Sequence, residues 1–194
     1  MQPLVFYDPA AEIIFWGSLA LLIAIECVVR VRTDSQGRTS REWTLSLVVF
    51  SLVASMLVAG IVARHKLAPL PGPTWWPVAA GVALLWTGVA FRLWAVNTLG
   101  RFFKVVVIIQ DDHRVVDRGP YRWIRHPSYT GGMITAIGIG LAYADWLSIA
   151  IMAVFPLIAL LVRIRVEERM LLQELGEEYA VYAQRTARLL PGVF

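Results

Sequence analysis

Residues 43–63 form a run of 21 without one charged side chain. Nothing else in the sequence restricts the fold as strongly. A hydrocarbon slab about 30 Å thick is crossed by about 20 helical residues, and a helix satisfies its own backbone hydrogen bonds where water cannot. Apolar stretches recur at 13–29, 75–91, 127–144 and 146–162. Composition points the same way: 58% of the 194 residues are apolar and 16% charged, with a mean hydropathy of +0.62. Soluble domains run at about 45–50% apolar and about 25% charged, and a soluble core of this size cannot cover so much apolar side chain. A soluble enzyme, a disordered chain and a disulfide scaffold are excluded. Cys27, the one cysteine, has no partner within the chain, and three scattered histidines offer no metal-ligand spacing. No positive side chain precedes the first apolar run, so a cleaved signal peptide is not expected.

The expectation is therefore an all-α integral membrane protein, one membrane domain over 1–194, with about five transmembrane helices. The apolar part of the fourth, 131–144, has 14 residues and rises about 21 Å. The fourth and fifth stretches read as a helical hairpin turning near Asp145, with Pro156 kinking the second helix. Gly131, Gly132, Gly138 and Gly140 would let neighbouring helices approach closely. The loops after the first and third stretches and the chain beyond 162 carry 15 of the 18 Lys and Arg residues. The positive-inside rule then sets the N-terminus outside and the C-terminus in the cytoplasm. Trp43, Trp75, Trp76, Trp123 and Trp146 fall near span ends, as an interfacial belt does. The net charge of +4 sits beside apolar runs, so lipid headgroups rather than nucleic acid are the expected partner.

Two stretches are not spans. Residues 102–117 alternate short β-branched runs with a polar turn, reading as a small hairpin or irregular cap. Residues 163–190 have helical spacing, with Leu171, Leu172, Leu175, Tyr179 and Tyr182 near one stripe. Together with 101–131 they make a cytoplasmic cap, and the chemistry-bearing residues concentrate there. Arg163 and Glu167 are four apart and share a helix face, which on spacing alone is more often a structural pair than a catalytic one. His126 before Pro127 is, equally, more often a turn residue. Glu26 lies near the end of the first stretch, where it can reach water, although a charge within a span is a functional candidate.

The ordered set Gly119-Pro120-Tyr121, Arg125-His126-Pro127-Ser128-Tyr129, Gly131, then Glu167-Glu168, then Gly176-Glu177-Glu178-Tyr179 and Tyr182, with Pro191 beyond, resembles the isoprenylcysteine carboxyl methyltransferase family. Phospholipid N-methyltransferases share a looser version. The resemblance covers the chain from about His113 to Pro191, and the first two spans add nothing specific. It implies S-adenosylmethionine as methyl donor, released as S-adenosylhomocysteine. It implies that His113, Arg114, Val115 and Val116 hold this cofactor, with Tyr121 and His126, Pro127, Ser128 and Tyr129 completing much of the pocket. It further implies that Glu167 contacts the cofactor and that Arg163 faces the substrate carboxylate. Val106 stands where some relatives place a glutamine contact, so that contact is not expected.

The residues themselves agree with this chemistry. No Gly-x-Gly-x-x-Gly follows a strand, so a loop and helix ends must supply the cofactor's polar contacts. A terminal carboxylate has a reference pKa near 3.5 and needs no general base, so catalysis would rest on positioning and exclusion of water. An amine acceptor would need a base, for which Glu167 or Glu168 is the candidate. A prenylated or otherwise lipidic acceptor would come sideways between helices. The alternatives are a phospholipid N-methyltransferase, a nicotinamide-dependent membrane sterol reductase and a non-catalytic scaffold.

Overall fold

The computed structural model describes residues 3–33, 42–72, 75–100 and 115–191. Among these residues it has five α-helices and no sheet: α1 (Pro9–Thr33), α2 (Glu42–His65), α3 (Trp75–Leu99), α4 (Pro127–Ala142) and α5 (Trp146–Arg185). Helix starts follow from local chemistry. Asp8 accepts the Ala11 amide at 2.9 Å ahead of Pro9, a residue pre-set for the first turn. Asp145 caps α5 by accepting the Ser148 amide at 3.0 Å, and its other oxygen takes the Ala68 amide at 2.8 Å. One buried carboxylate thus fixes the α4–α5 turn and the α2–α3 connection together. Ala144 sits there at a left-handed φ of 54°, held by the Leu70 amide on its carbonyl at 2.9 Å. The expected hairpin turn at Asp145 is present.

Four helices, α1, α2, α3 and α5, are long and apolar enough to cross a membrane. α4, with 16 residues, rises about 24 Å and is not among them. Its glycines explain how so short a helix is held. A Cβ on Gly131 would lie 2.7 Å from the Arg92 amide nitrogen, and one on Gly138 would lie 2.5 Å from that of Leu85. On the facing helix, Gly88 and Gly81 meet Thr135 and Ala142 of α4 as closely, each at 2.5 Å. Each pair is spaced two helical turns apart, so α3 and α4 run backbone against backbone. Gly140 serves the same purpose toward α5, where Ile149 Cα lies 2.9 Å from its would-be Cβ. Gly132, expected to do likewise, faces open space. The apolar core, around Phe15, Leu19, Leu85, Ile139, Tyr143 and Met152, lies toward the Asp145 end of the bundle. The polar end is left for the site.

Three expectations need correction. The third stretch was cut at Arg92, but α3 continues through it to Leu99, because the charge is paired rather than solvated. α5 stays helical through Pro156, and the residue whose torsions leave the helix is Gly176, at φ 55°. Neighbouring helices shelter a proline in a span, whereas a Cβ built on Gly176 would meet open space. Finally, helix does not persist to 190: it stops at Arg185, and Ala187 forms an isolated parallel bridge with Ile124. The expected hairpin over 102–117 lies mostly outside the described residues. Trp43, Trp75, Trp123 and Trp146 are exposed, as an interfacial belt requires.

Gly88→Leu forces a side chain against the α4 backbone and is expected to destabilise by about 3 kcal/mol or more. Gly17→Ala, at an open position of α1, is expected to leave stability unchanged or slightly higher. Thermal midpoints in one detergent compare the two.

Candidate active site

The site is assembled at the polar end from a loop, the start of α4 and the part of α5 beyond Val162. Gly119, at φ 56°, lets the chain turn against Thr98 at the end of α3, where a Cβ would come within 2.9 Å of that side chain. Pro120 then starts a 3-10 turn, Gly119–Arg122. The strand-like return of the C-terminus laces this loop down. Arg125 and His126 amides donate to the Ala187 and Arg188 carbonyls at 2.7 and 3.1 Å, and the Ala187 amide donates to Trp123 at 3.0 Å. Thr130 Oγ1 donates to the Leu189 carbonyl at 2.7 Å, and Tyr182 Oη to the Tyr121 carbonyl at 2.8 Å. Arg125 Nη1 donates to the Ala183 and Thr186 carbonyls.

Under this lacing lies Glu168, which is buried. Arg125 Nε donates to its Oε1 and Arg188 Nε to its Oε2, both at 2.9 Å, while His126 Nε2 lies 3.4 Å from Oε1. Burial alone would raise the Glu168 carboxyl; the hydrogen bonds from His126 and Arg125 overcome that and bring it down to about 2. Glu168 is therefore a charged hub of the cap, and not a free base.

Glu167 faces the other way. Tyr129 Oη donates to Glu167 Oε2 at 2.6 Å and accepts from Arg163 Nε at 2.8 Å. The Arg163–Glu167 spacing seen in the sequence is thus a relay through a phenol from α4. Arg163 is buried, and its Nη1 also donates to Thr44 Oγ1 at 3.1 Å. His126 stacks on Tyr129, with ring centroids 5.5 Å apart and 8° between planes, and its Nδ1 lies 3.9 Å from Glu167 Oε2. Two buried phenols flank the group. Burial raises the hydroxyl pKa of Tyr121 and Tyr179 and nearby Glu167 adds to it, so both stay protonated. Tyr179 Oη is buried without a hydrogen-bond partner among the described residues, which in a native site calls for one.

Of the sequence-derived candidates, Tyr121, His126, Pro127, Ser128, Tyr129, Arg163 and Glu167 come together here. Val115 and Val116 lie instead beside the last turns of α5: the Val115 amide donates to Glu178 at 3.3 Å, at a cavity of about 380 Å³ lined also by Tyr182 and Arg185. His113, Arg114 and Val106 lie outside the described residues. The sequence reading missed Thr44, the hub role of Glu168, and Arg92, which donates to both oxygens of Glu26 at 2.5 and 2.8 Å and to Ser128 Oγ at 2.5 Å. A lone charge inside an apolar stretch needs a partner, so Arg92 and Glu26 carried that signal. Thr44 carried none.

An apolar groove of about 360 Å³ runs between α2 and α5, lined by residues that include Leu47, Phe50, Ser55, Phe155 and Val162. Arg163 and Thr44, hydrogen-bonded to each other, lie about one helical turn beyond its lining residues Ala159 and Leu47.

The sequence model for the isoprenylcysteine carboxyl methyltransferase (ICMT) family matches residues 81–173. A probable protein-S-isoprenylcysteine O-methyltransferase of Oryza sativa subsp. indica is 31% identical over 184 residues, covering 94% of this chain and 93% of the relative. The chain belongs to the isoprenylcysteine carboxyl methyltransferase family. An uncharacterized Bacillus subtilis protein, YpbQ, is 25% identical over 86% of this chain and 99% of its own length. In fold, the chain is similar to the eukaryotic intramembrane Ras methyltransferase ICMT, with TM-score 0.68 at 22% identity, covering 98% of this chain and 70% of that one. It is an ICMT-like, multi-pass membrane methyltransferase of a family whose methyl donor is S-adenosylmethionine. The reductase and scaffold readings are set aside. The residues fit that donor: Glu167 suits a cation, the rings of Tyr121, Tyr129 and His126 offer aromatic faces, and the orphan Tyr179 hydroxyl has a hydrogen bond to give.

Because the Glu168 carboxyl lies well below its ordinary 4.5, its stabilisation is complete above about pH 4.5 and is lost as pH falls toward 2. Glu168→Gln is expected to cost about 3 kcal/mol at neutral pH. In detergent, the thermal midpoints of wild type and variant should converge as pH approaches 2.

Proposed function

We propose that this chain methylates the terminal carboxylate of an S-prenylated cysteine or a similar lipidic acid, at the junction of the α2–α5 groove with Arg163. The observation that supports the reading is that arrangement: an apolar groove between two candidate spans lies about one helical turn from a buried guanidinium, which is itself one relay away from the carboxylate suited to the donor's cation. S-adenosylmethionine, when bound, supplies the methyl group and leaves as S-adenosylhomocysteine. Arg163 orients the acceptor carboxylate, which is already ionised and needs no base. Glu167 holds the positive charge of the donor, and Tyr129 fixes Arg163 and Glu167 relative to each other. Tyr121 and His126 wall the cofactor pocket, and the cofactor contacts that the resemblance implies for His113, Arg114, Val115 and Val116 belong to the same proposal. The Ser128 side chain is engaged by Arg92, so Pro127 and Ser128 contribute through the backbone. The chain's own work is positioning and exclusion of water.

The same reading makes α4 a fifth, short crossing sheltered by α3 and α5, with the N-terminus outside and the site at the cytoplasmic face. Lipid substrate arrives through the groove and cofactor from water, and 1–194 acts as one membrane domain.

Glu167→Gln is expected to weaken S-adenosylmethionine binding roughly tenfold or more, since a charge partner is worth about 1.5–3 kcal/mol, while Arg163→Met raises KM for the acceptor. Ala54 also lines the groove, and Ala54→Phe, which fills it, is expected to raise KM for N-acetyl-S-farnesylcysteine without changing calorimetric affinity for S-adenosylhomocysteine. An equal loss of both affinities in Ala54→Phe contradicts the groove assignment.

A further inference from the structure

We propose that Glu26, on α1, is a positioning residue for methyl transfer, acting through Arg92 and Ser128 on the Tyr129 hydroxyl. The inference rests on the functional reading above and extends it to α1. Arg92 projects from α3, where the α3 backbone touches α4 at Gly131. Its Nε and Nη2 are taken by the two oxygens of Glu26, at 2.5 and 2.8 Å. That fork fixes the rotation of the planar guanidinium. The remaining terminus, Nη1, meets the first turn of α4, donating to Ser128 Oγ at 2.5 Å and to the Ser128 carbonyl at 3.3 Å. The next residue is Tyr129, whose hydroxyl stands between Arg163 and Glu167.

The charge of Glu26 matters as well as its shape. The N-terminus of α4 carries partial positive charge, so an uncompensated arginine there is repelled. With Glu26 across it, the Arg92 cation is neutralised and can stay seated on Ser128. Without Glu26, the guanidinium is free to rotate away toward headgroups, and α4 loses the anchor beside its catalytic-site tyrosine. A displacement of about 1 Å at Tyr129 is the scale at which transfer geometry loses one to two orders of magnitude in rate.

The test compares wild type with Glu26→Gln, Glu26→Asp, Tyr129→Phe, the double variant Glu26→Gln/Tyr129→Phe, and Val29→Ala. Val29 packs against Val96 on the same helix pair, outside the relay, and serves as the control for a merely structural loosening of α1. Each protein, in detergent, is assayed with S-adenosylmethionine and N-acetyl-S-farnesylcysteine, alongside its thermal midpoint and calorimetric affinity for S-adenosylhomocysteine. Glu26→Gln is expected to lower kcat roughly tenfold to a hundredfold with KM for the acceptor changed less than threefold. Glu26→Asp should recover much of that loss, and Val29→Ala should lower the midpoint without lowering kcat. In the Tyr129→Phe background, adding Glu26→Gln should cost little more, because both act through one hydroxyl. Losses that multiply, or a Glu26→Gln kcat no lower than that of Val29→Ala, overturn the proposal. A wild type that neither binds S-adenosylhomocysteine nor turns over defeats the functional reading, and the positioning role with it.

Discussion

The polar end of this molecule hangs on one carboxylate. A buried charge is tolerable only when its desolvation is offset by partners with good geometry, and Glu168 has Arg125, Arg188 and His126 around its two oxygens. These three partners come from two segments, the loop before α4 and the chain returning after α5. One side chain of α5 therefore gathers everything that forms the cap. The backbone bonds between 123–126 and 187–188 follow from that gathering, since an isolated two-segment bridge of this length has little stability of its own. Its neighbour Glu167 faces the relay instead: adjacent helical positions point about 100° apart, so one acid binds the cap together and the next accepts from Tyr129.

The apolar end supplies the rigidity this arrangement needs. Glycine-on-backbone contact between α3 and α4 removes the side-chain layer that separates helices elsewhere, and in lipid such packing is what holds helices together. It delivers the first turn of α4, with His126 and Tyr129, to a fixed height against α5. Methyl transfer to a carboxylate asks for little acid–base work, so a scaffold that fixes helix ends to fractions of an ångström is the natural catalyst. The bundle divides into an apolar groove between two candidate spans and a laced polar cap, the division that the proposed function assigns to a lipidic acceptor and a water-borne donor.

Apolar runs made the helices legible, and the ordered Arg125-His126-Pro127-Ser128-Tyr129 and Glu167-Glu168 set made the family legible before any coordinates. Asp145 was readable as a turn because a charged residue between two apolar runs has no other place. What could not be read was partnership across distance. Arg92 looked like the end of a span because local sequence does not show Glu26, 66 residues away, neutralising it. The tail departs from its expected helical extent for a similar reason: of the stripe, Tyr179 and Tyr182 are buried while Leu172 is exposed, and pairing with the 124 loop overrides helix after Arg185. The Arg163–Glu167 spacing invited a direct ion pair, and only the fold reveals the phenol between them.

The most direct test of the central claim is the chemical nature of the product bond. Detergent-solubilised protein is incubated with methyl-labelled S-adenosylmethionine and N-acetyl-S-farnesylcysteine, and the lipid extract is treated with alkali. A carboxyl methyl ester releases its label as volatile methanol, and this account predicts that result, with less released at a limiting acceptor concentration when Arg163 is replaced by Met. Label that stays with the lipid after alkali, as on a methylated amine, or no transfer at all to the prenylated acid, would contradict it.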